Sequence, residues 1–450
     1  MKISVSPRKT AAAAACALIA LTTAGCLQDP DTSDGAGPGG SGVADGGTSD
    51  GDEKVVIMGA FGGGEQAAFE ESLKGFADES GIEIDYVSDK DIATTIKQKA
   101  ASGDTPDIAL FPQPGGLLEL AADGDIQPID TYLDYNTLKK TLVPGFLDAV
   151  NLNGRIYGAP MRMAVKSLVF YNNKTYTQAG YAAEPKTLEE LAAIGDEMKA
   201  AGASPWCMGW ADAQATGWVG TDWIEEFVLR LWGPDVYDEW VAHEIPFNDD
   251  RIIAAFDAFK TMTLASGQSF GNSRGVLNTP FGDSFNPAFE ASPKCYLHRQ
   301  GNFILGFLPD AVTADLDSNV GLFVFPPAAD GFAGQPILGG GDLAALFNGN
   351  DEDAIRVMEF LTSDKFGVEW AQAGGWLSPH RTFDANNYPD AITKKIAEIV
   401  ANADVFRFDA SDLMPKEVGS DTFWTGMVAL ANGDSAQQVT TDIENSWPTE

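Results

Sequence analysis

The alternation of strand and helix patterns after residue 53 constrains the fold of this chain more than any other feature. "KVVIMGAF" is a short apolar run with β-branched residues, which predicts a buried strand, and "IEIDYVS" and "DIALFPQPG" are predicted to be strands as well. Between the first two, Phe69, Leu73 and Phe76 are spaced i, i+4 and i+7 on one helix face, and a glycine ends each of the two predicted helices. The order strand, helix, strand, helix, strand predicts a parallel, doubly wound α/β unit.

Polar residues follow each of these three strands. In an open α/β sheet, ligands bind outside the carboxyl ends of the strands, where this chain has Glu65, Asp91 and Gln113. We therefore predict a ligand role for all three. Each also has a structural alternative: Glu65 complements the charge of a helix N-terminus, Asp91 caps a helix, and Gln113 is a turn amide between two prolines.

Tryptophan marks the middle and end of the chain. All ten tryptophans follow residue 200, and the segment beginning at Trp206 holds five of them within 28 residues. Trp218 and Trp223 lie among Gly, Thr and Asp, and flat aromatic faces stack well on the C–H face of a sugar ring. We predict that both rings and the neighbouring Asp222 contact a ligand, with a Trp-rich core as the alternative. Three further tryptophans are predicted to lie in the core: Trp206, Trp232 and Trp240.

Two glycine-rich segments supply further candidates. "QPILGGGDLAALFNGN" predicts a glycine-rich turn that enters a strand, so backbone N–H groups near Gly340 can approach a ligand closely and Asp342 lies at a cleft rim. The alternative for Asp342 is a turn aspartate. In "GGWLSP", we expect the glycines to expose Trp376, which then covers the ligand.

Basic residues near the ends of two segments have more than one interpretation. "VFRFDASDLMP" is predicted to be a short loop in which Arg407 either pairs with Asp409 or Asp412 or contacts a ligand hydroxyl. Arg162 and Lys166 lie where the chain is expected to pass between domains, and hinge salt bridges explain them as well as ligand contacts do.

The charge of the chain excludes whole classes of partner. With 29 Lys and Arg against 65 Asp and Glu, the formal net charge is −36. Nucleic acid and anionic lipid surfaces require basic patches, so we expect neither as a partner. The three histidines, His243, His298 and His380, are not spaced as H-x-x-x-H, and the sequence has neither a cysteine cluster nor a GxxxxGK[ST] motif. We therefore expect no metal and no cofactor.

The amino-terminal residues predict export. Residues 1–25 combine a basic start, a short apolar run and small residues, which is typical of a secretory signal peptide. "TAGC" resembles the lipobox of bacterial lipoproteins, which implies lipidation of Cys26, and a plain signal peptide with an incidental cysteine is the alternative. Residues 26–53 are rich in Gly, Asp and Ser and predict a disordered tether. Cys207 and Cys295 then remain, and an even pair in an exported chain predicts a disulfide, with two buried free thiols as the alternative.

The order of several motifs is that of a known family. "YGAPMRMAVKSLVFYNNKTY", "EPKTLEEL", "GFLPDA" with "GLFVFPPAADG", and "PILGGGDLAAL" together resemble bacterial extracellular solute-binding proteins of carbohydrate-uptake ABC transporters. "GTDWIEEFVLRLWGPDVYDEWVAHEIPFND", "CYLHRQ", "LFPQPG" and "RFDASDLMP" resemble the α-glucoside-binding subgroup. The resemblance implies a two-lobe, periplasmic-binding-protein-like α/β fold with a ligand cleft between the lobes. We place lobe 1 at 54–160 plus 337–376 and lobe 2 at 161–336 plus 377–450.

The same resemblance implies a function. We expect a monomeric lipoprotein at the outer face of the cell membrane that captures an α-glucoside or similar oligosaccharide by hinge closure. It would deliver this ligand unaltered to a membrane permease. Three alternatives stay open: a binding protein for a different sugar or polyol glycoside, a surface adhesin or structural lipoprotein, and a lipid-anchored glycoside hydrolase. The hydrolase would need two carboxylates about 5–5.5 or 6.5–9.5 Å apart.

Overall fold

A computed structural model describes residues 53–403 and 405–448 of the chain. The predicted signal peptide, Cys26 and all of the predicted tether except Glu53 lie outside these residues. Across the described part of the chain, no helix combines the length and the apolar character that crossing a bilayer requires.

Strands and helices alternate along most of the described chain. The strands are β1 Lys54–Gly59, β2 Glu83–Ser88, β3 Ile108–Phe111, β4 Asn151–Leu152, β5 Arg155–Ile156, β6 Ala159–Val165, β7 Leu168–Asn172, β8 Ser204–Trp206, β9 Cys295–Arg299, β10 Val320–Val324, β11 Ile337–Leu346 and β12 Phe406–Phe408. The helices are α1 Gly64–Ser80, α2 Ile92–Ser102, α3 Pro114–Asp123, α4 Tyr135–Thr141, α5 Asn173–Ala179, α6 Leu188–Ala200, α7 Trp218–Trp232, α8 Pro234–Val241, α9 Asp250–Phe259, α10 Asn272–Asn278, α11 Asp310–Thr313, α12 Leu316–Asn319, α13 Glu352–Leu361, α14 Val368–Ala373, α15 Ala391–Ala401, α16 Ala410–Leu413, α17 Phe423–Asn432 and α18 Ala436–Glu444.

The first lobe is built on a mixed sheet that contains the predicted parallel unit. β1 pairs in parallel with both β2 and β3, as the strand and helix pattern predicts. α1 and α2 end at Gly81 and Gly103, both in the left-handed conformation. Phe69 and Leu73 of α1 are buried in the hydrophobic core of this lobe. β11 extends the sheet antiparallel to β3 and β6 and parallel to β12.

The second lobe is built on a smaller sheet with the strand order β10-β7-β9-β8. A disulfide joins Cys207, directly after β8, to Cys295 at the start of β9, which confirms the predicted bridge. Trp206 and Trp240 lie in the core of this lobe, as predicted. The prediction for Trp232 is wrong: as the last residue of α7 it is 39% exposed, and its indole donates a hydrogen bond to the carbonyl of Arg251.

The chain passes between the two sheets at several crossings. Lys166 and Ser167 separate β6, in the first sheet, from β7, in the second. The chain returns between β10 and β11, and it crosses again after β12, because Ala410 packs in the core of the second lobe. The predicted lobe boundaries stay predictions. Both β12 and most of β6 lie in ranges assigned to lobe 2, and both pair with the first sheet.

Two local predictions are wrong. The glycine run in "PILGGGDLAAL" is not a turn, because Gly339–Gly341 lie inside β11. Glycine is needed there for close packing: a Cβ at Gly339 would collide with the ring of Phe406, and one at Gly341 with the carbonyl of Arg162. Likewise, "VFRFDASDLMP" forms β12 and α16 rather than a loop.

Candidate ligand-binding cleft

The start of α1, on the first-lobe side of the cleft between the lobes, has glycine backbone that no side chain of the described residues covers. Gly63, with φ of 59°, holds a left-handed conformation that favours glycine and precedes the 17-residue helix α1. Apart from the adjoining residues and the backbone of α1 itself, no atom of the described residues lies within 4 Å of the position a Cβ would take at Gly63 or Gly64. The first N–H groups of a helix have no partner within that helix, so this end of α1 offers donors and a partial positive charge.

Arg162 organises the charges beside the start of α1. Its Nε lies 2.6 Å from Oδ2 of Asp342, and its Nη1 lies 2.7 Å from Oε1 of Glu65. The guanidinium is centred 4.8 Å from the ring of Phe61 and 5.1 Å from that of Trp370. Burial raises the pKa of Asp342, although the charge of Arg162 opposes that rise. The predicted residues Glu65 and Asp342 are therefore brought together, and Asp342 is a buried strand residue rather than a turn aspartate.

The other two strand-end candidates occupy helix starts in the same layer. Asp91 is exposed at the N-cap position of α2, and Gln113 is half-buried at the N-cap position of α3. Gln113 lines a pocket with Asp412 of the second lobe, and a hydrogen bond from Gln113 acts to lower the pKa of that carboxyl group, which burial raises. Gln113 is thus a first-lobe side chain that reaches the second lobe.

Four half-buried rings form an aromatic wall on the second-lobe side: Trp218, Phe281, Phe303 and Phe307. The ring of Trp218 is centred 5.3 Å from that of Phe281 and 6.0 Å from that of Phe303, and Phe281 and Phe307 are 5.2 Å apart. The three phenylalanines were not predicted from the sequence, because they come from separate segments without helix or strand periodicity. A usable signal was present, since each lies next to or near a glycine: Gly282, Gly301 and Gly306.

Asp212 orients the tryptophan of the aromatic wall. The indole Nε1 of Trp218 donates a hydrogen bond of 3.0 Å to Oδ2 of Asp212. Burial raises the pKa of Asp212, while Trp218 and the charge of Lys90 act to lower it. Lys90 follows β2 at the carboxyl edge of the first sheet, so Asp212 and Trp218 lie on the side of the second lobe that faces the first.

A buried charged cluster lies beneath the aromatic wall: Lys166, Asp222, Glu225 and Asp409. The ammonium of Lys166 lies 2.9 Å from Oδ1 of Asp222, binds Asp409 as well, and is 5.4 Å from the centre of the Trp218 ring. Burial raises the pKa of Asp222 to about 7 and also raises that of Glu225. Burial acts in the same direction on Asp409, but Lys166 holds its pKa well below the usual range.

The three carboxylates of this cluster raise the question of a metal. Their oxygens lie within 4.8 Å of one another. Lys166 donates to two of the three, so its ammonium takes the place that a cation would fill. Asp222, predicted to bind a ligand, therefore belongs to a buried ion-pair network and is fully buried.

Two predicted aromatic contacts lie in cores rather than at the cleft. Trp223 is 1% exposed and packs edge-on against Trp206, with ring centres 4.8 Å apart. Trp376 is also 1% exposed and packs on Phe366 and Phe383 of the first lobe. The expectation that its glycines expose Trp376 is wrong, because the indole packs against the two phenylalanine rings and closely against the backbone of Gly367. Neither ring gains support as a ligand contact.

The remaining candidates are held by other parts of the fold. Arg407 forms a two-pronged ion pair with Asp238 of α8, at 2.6 and 2.7 Å, so the expected pairing with Asp409 or Asp412 is wrong. Gly340 pairs with Ala164 inside the first sheet, and a Cβ there would lie 3.7 Å from Cε of Lys166. That Arg407 and Gly340 contact the ligand stays a prediction.

Two α/β lobes joined by crossing segments beneath a polar and aromatic cleft are the architecture of two-lobed solute-binding proteins. Residues 62–368 match the family model of the bacterial extracellular solute-binding proteins. The chain belongs to this family of ABC-transporter binding proteins.

Two curated relatives match almost the whole chain. The osmoprotective compounds-binding protein GgtB of Synechocystis is 42% identical over 397 residues, which cover 88% of this chain and 93% of that protein. The alpha-glucosides-binding periplasmic protein AglE of Rhizobium meliloti is 34% identical over 403 residues, 88% of this chain and 87% of that protein. A solved structure described with xylan utilisation by Caldanaerobius polysaccharolyticus superposes with a TM-score of 0.73 at 18% identity, covering 87% of this chain and 99% of that one.

Proposed function

We propose that this protein is the lipid-anchored substrate-binding component of a carbohydrate ABC importer and that its ligand is an α-glucoside or a similar neutral oligosaccharide. One observation carries the proposal: Lys166 lies at the junction between the two sets of side chains. Its ammonium is 5.4 Å from the Trp218 ring of the aromatic wall, and its Cε is 3.7 Å from the position of a Cβ at Gly340, two residues before Asp342 in β11. Arg162 joins Asp342 to Glu65. Rings stack on the C–H faces of a sugar, and carboxylates accept hydrogen bonds from pairs of hydroxyls. The similarity to the relative named for α-glucosides supports the same ligand class.

The cleft also disfavours an anionic ligand. Arg162 is already engaged by Glu65 and Asp342, so these three side chains carry a net negative charge when both carboxylates are ionised. An anionic ligand would face that charge in a partly buried site, which is unfavourable. A neutral polyhydroxy compound avoids this repulsion and satisfies the carboxylate oxygens.

A second candidate is a polyol glycoside. The 42% identical relative is named for osmoprotective compounds and not for α-glucosides, which favours a ligand other than a plain oligosaccharide. Both candidates use the same side chains, so a binding screen rather than the cleft decides between them.

The ligand class is tested by a thermal-shift screen followed by calorimetry. The panel contains maltose, trehalose, the β-linked disaccharide cellobiose and polyol glycosides. At 100 times its Kd, a ligand should stabilise the folded protein by about 2.7 kcal/mol. Stabilisation by maltose or trehalose and not by cellobiose supports the α-glucoside, and a preference for polyol glycosides selects the second candidate. No stabilisation by any of these compounds refutes the proposal.

Binding without chemistry distinguishes this function from that of a hydrolase. The family consists of binding proteins, and the cleft carboxylates Glu65 and Asp342 are both bound to Arg162. Maltose incubated with the protein for hours should be recovered unaltered by chromatography. Release of glucose would instead place the protein among the glycoside hydrolases.

The proposed lipid anchor is tested at Cys26. The mature protein should partition into the detergent phase, and Cys26→Ala should release it from the membrane or block its processing. Correctly cleaved wild-type protein without acyl groups would refute the anchor while leaving the proposed ligand class untouched.

A further inference from the structure

Lys166 stands at a structural junction between the lobes. Its backbone N–H donates to the carbonyl of Leu338 in β11, at 2.8 Å. The next residue, Ser167, accepts a hydrogen bond from the N–H of Leu338 and donates one to Glu226 of α7, both at 2.8 Å. The carbonyl of Ser167 also accepts from Phe325, directly after β10. The backbone of the first crossing is therefore tied to the return crossing and to the second lobe.

The side chain of Lys166 contacts three further residues, which come from two parts of the chain. Asp409 directly follows β12 of the first sheet, whereas Asp222 lies on α7 of the second lobe. Trp218 precedes Asp222 by four residues on α7, so the two share one face of the helix. With two donors used by Asp222 and Asp409, the same ammonium lies 5.4 Å from the centre of the Trp218 ring.

Moving the ammonium of Lys166 away from this position would cost free energy. Its side chain is 8% exposed, and the side chains of Asp222 and Asp409 are 1% and 2% exposed. Breaking a buried ion pair leaves an uncompensated charge in a medium that solvates it poorly. Lys166 is therefore a fixed point against which one face of the Trp218 ring is held, while Asp212 fixes the indole N–H.

We propose that Lys166 is a positioning residue: it holds Trp218 of the aromatic wall in register with the crossing segments, so that closure of the lobes brings the ring onto the ligand. This rests on the proposed function for its ligand, but the placement of the ring by Lys166 does not. A purely structural role would give a different result, because loss of a buried cation would then lower stability without altering the environment of Trp218.

The test compares Lys166→Met with a matched control, Arg230→Met. Arg230 is a fully buried cation of α7 whose Nη2 lies 2.6 Å from Oε1 of Glu226, four residues earlier on the same helix. Both variants remove a buried cation from a carboxylate, but only Lys166 contacts Trp218. If Lys166→Met fails to fold, the double variant Lys166→Met/Asp222→Asn is used in its place, because it also removes one of the two carboxylates left without a cation.

The first readout needs no ligand. Acrylamide quenching of Trp218 is measured as the difference between each protein and its Trp218→Phe counterpart. We expect the quenching constant of Trp218 to rise about twofold or more in Lys166→Met and to stay at the wild-type value in Arg230→Met. Equal quenching in the two variants would overturn the proposal.

The second readout uses maltose as the probe. We expect Lys166→Met to weaken maltose binding at least tenfold and Trp218→Ala to add little in that background, whereas Trp218→Ala keeps its full effect in Arg230→Met. Additive effects of Lys166→Met and Trp218→Ala would overturn the coupling. If wild-type protein binds another compound of the screening panel instead of maltose, that compound replaces maltose in this readout. If it binds none of them, the proposed ligand fails, and the quenching experiment still decides the role of Lys166.

Discussion

Removing the charge of Arg162 tests the organisation of the first-lobe side of the cleft. In Arg162→Met, Asp342 loses its partner while its side chain is only 6% exposed, whereas Glu65, at 33%, can be hydrated. Breaking a buried ion pair costs about 3–5 kcal/mol, and an exposed pair about 0–1 kcal/mol. We therefore expect a loss of about 3 kcal/mol in the free energy of unfolding, nearly all of it from Asp342.

Urea unfolding of the mature protein measures this loss, and a second substitution assigns it. Asp342→Asn in the Arg162→Met background removes the unpaired charge and should restore at least half of the loss, so the double-mutant cycle shows strong coupling. Arg155→Met is the matched control, because Arg155 and Asp130 form an ion pair at 2.8 Å in which both side chains are 45% exposed. That control should lose no more than about 1 kcal/mol.

The pH dependence gives an independent check on the same pair. Burial already raises the pKa of Asp342, and without Arg162 this rise is larger. The folded Arg162→Met protein then holds a proton that the unfolded chain has released, so its stability should recover as the pH falls from 8 to 5. The reasoning is refuted if Arg162→Met costs no more than Arg155→Met, or if Asp342→Asn fails to restore stability.

Three further predictions follow from individual contacts. Trp376→Ala should lower the free energy of unfolding by about 3–5 kcal/mol in a urea titration, yet the folded variant should bind its ligand with near wild-type affinity; a large loss of affinity with unchanged stability would show that the ring contacts the ligand. Replacing Cys207 and Cys295 by alanine removes a cross-link between residues 88 apart and should lower stability by about 4–5 kcal/mol in the chain-entropy model, with a steeper urea dependence; unchanged stability would refute this. Burial raises the pKa of Asp222 to about 7, so between about pH 4 and pH 7 the folded protein holds a proton that the unfolded chain has lost, and the contribution of Asp222 to stability falls as the pH rises. Asp222→Asn should therefore change the slope of stability against pH by up to about 1.4 kcal/mol per unit in that range, and parallel curves for the two proteins would contradict the assignment.

Local signals in the sequence determined the fold class. The β-branched runs, the helix face of Phe69, Leu73 and Phe76, and the glycines after each helix act within a few residues, so they predicted the parallel unit and its helix ends. The joint order of motifs identified the family, which residues 62–368 confirm. The even cysteine pair predicted the disulfide.

Side chains in the cleft were predictable only in part. The carboxyl ends of parallel strands meet at one edge of a sheet, which is why Glu65 could be assigned to this region from the sequence. Its partner Arg162 is 97 residues away, and nothing in the spacing of either residue specified their 2.7 Å contact.

Only the tertiary structure decided which aromatic and charged residues face the cleft. Trp218 and Trp223 have similar local sequences, yet the first is half-buried beside Lys166 and the second lies in the core. Lys166 and Asp409 meet across 243 residues of chain, and Arg407 meets Asp238 across 169. Burial and ion pairing depend on which distant segments pack together, and that packing sets the desolvation and the charge around each side chain. Periodicity and motif spacing describe only near neighbours, so they cannot distinguish a ring in the core from a ring at the cleft.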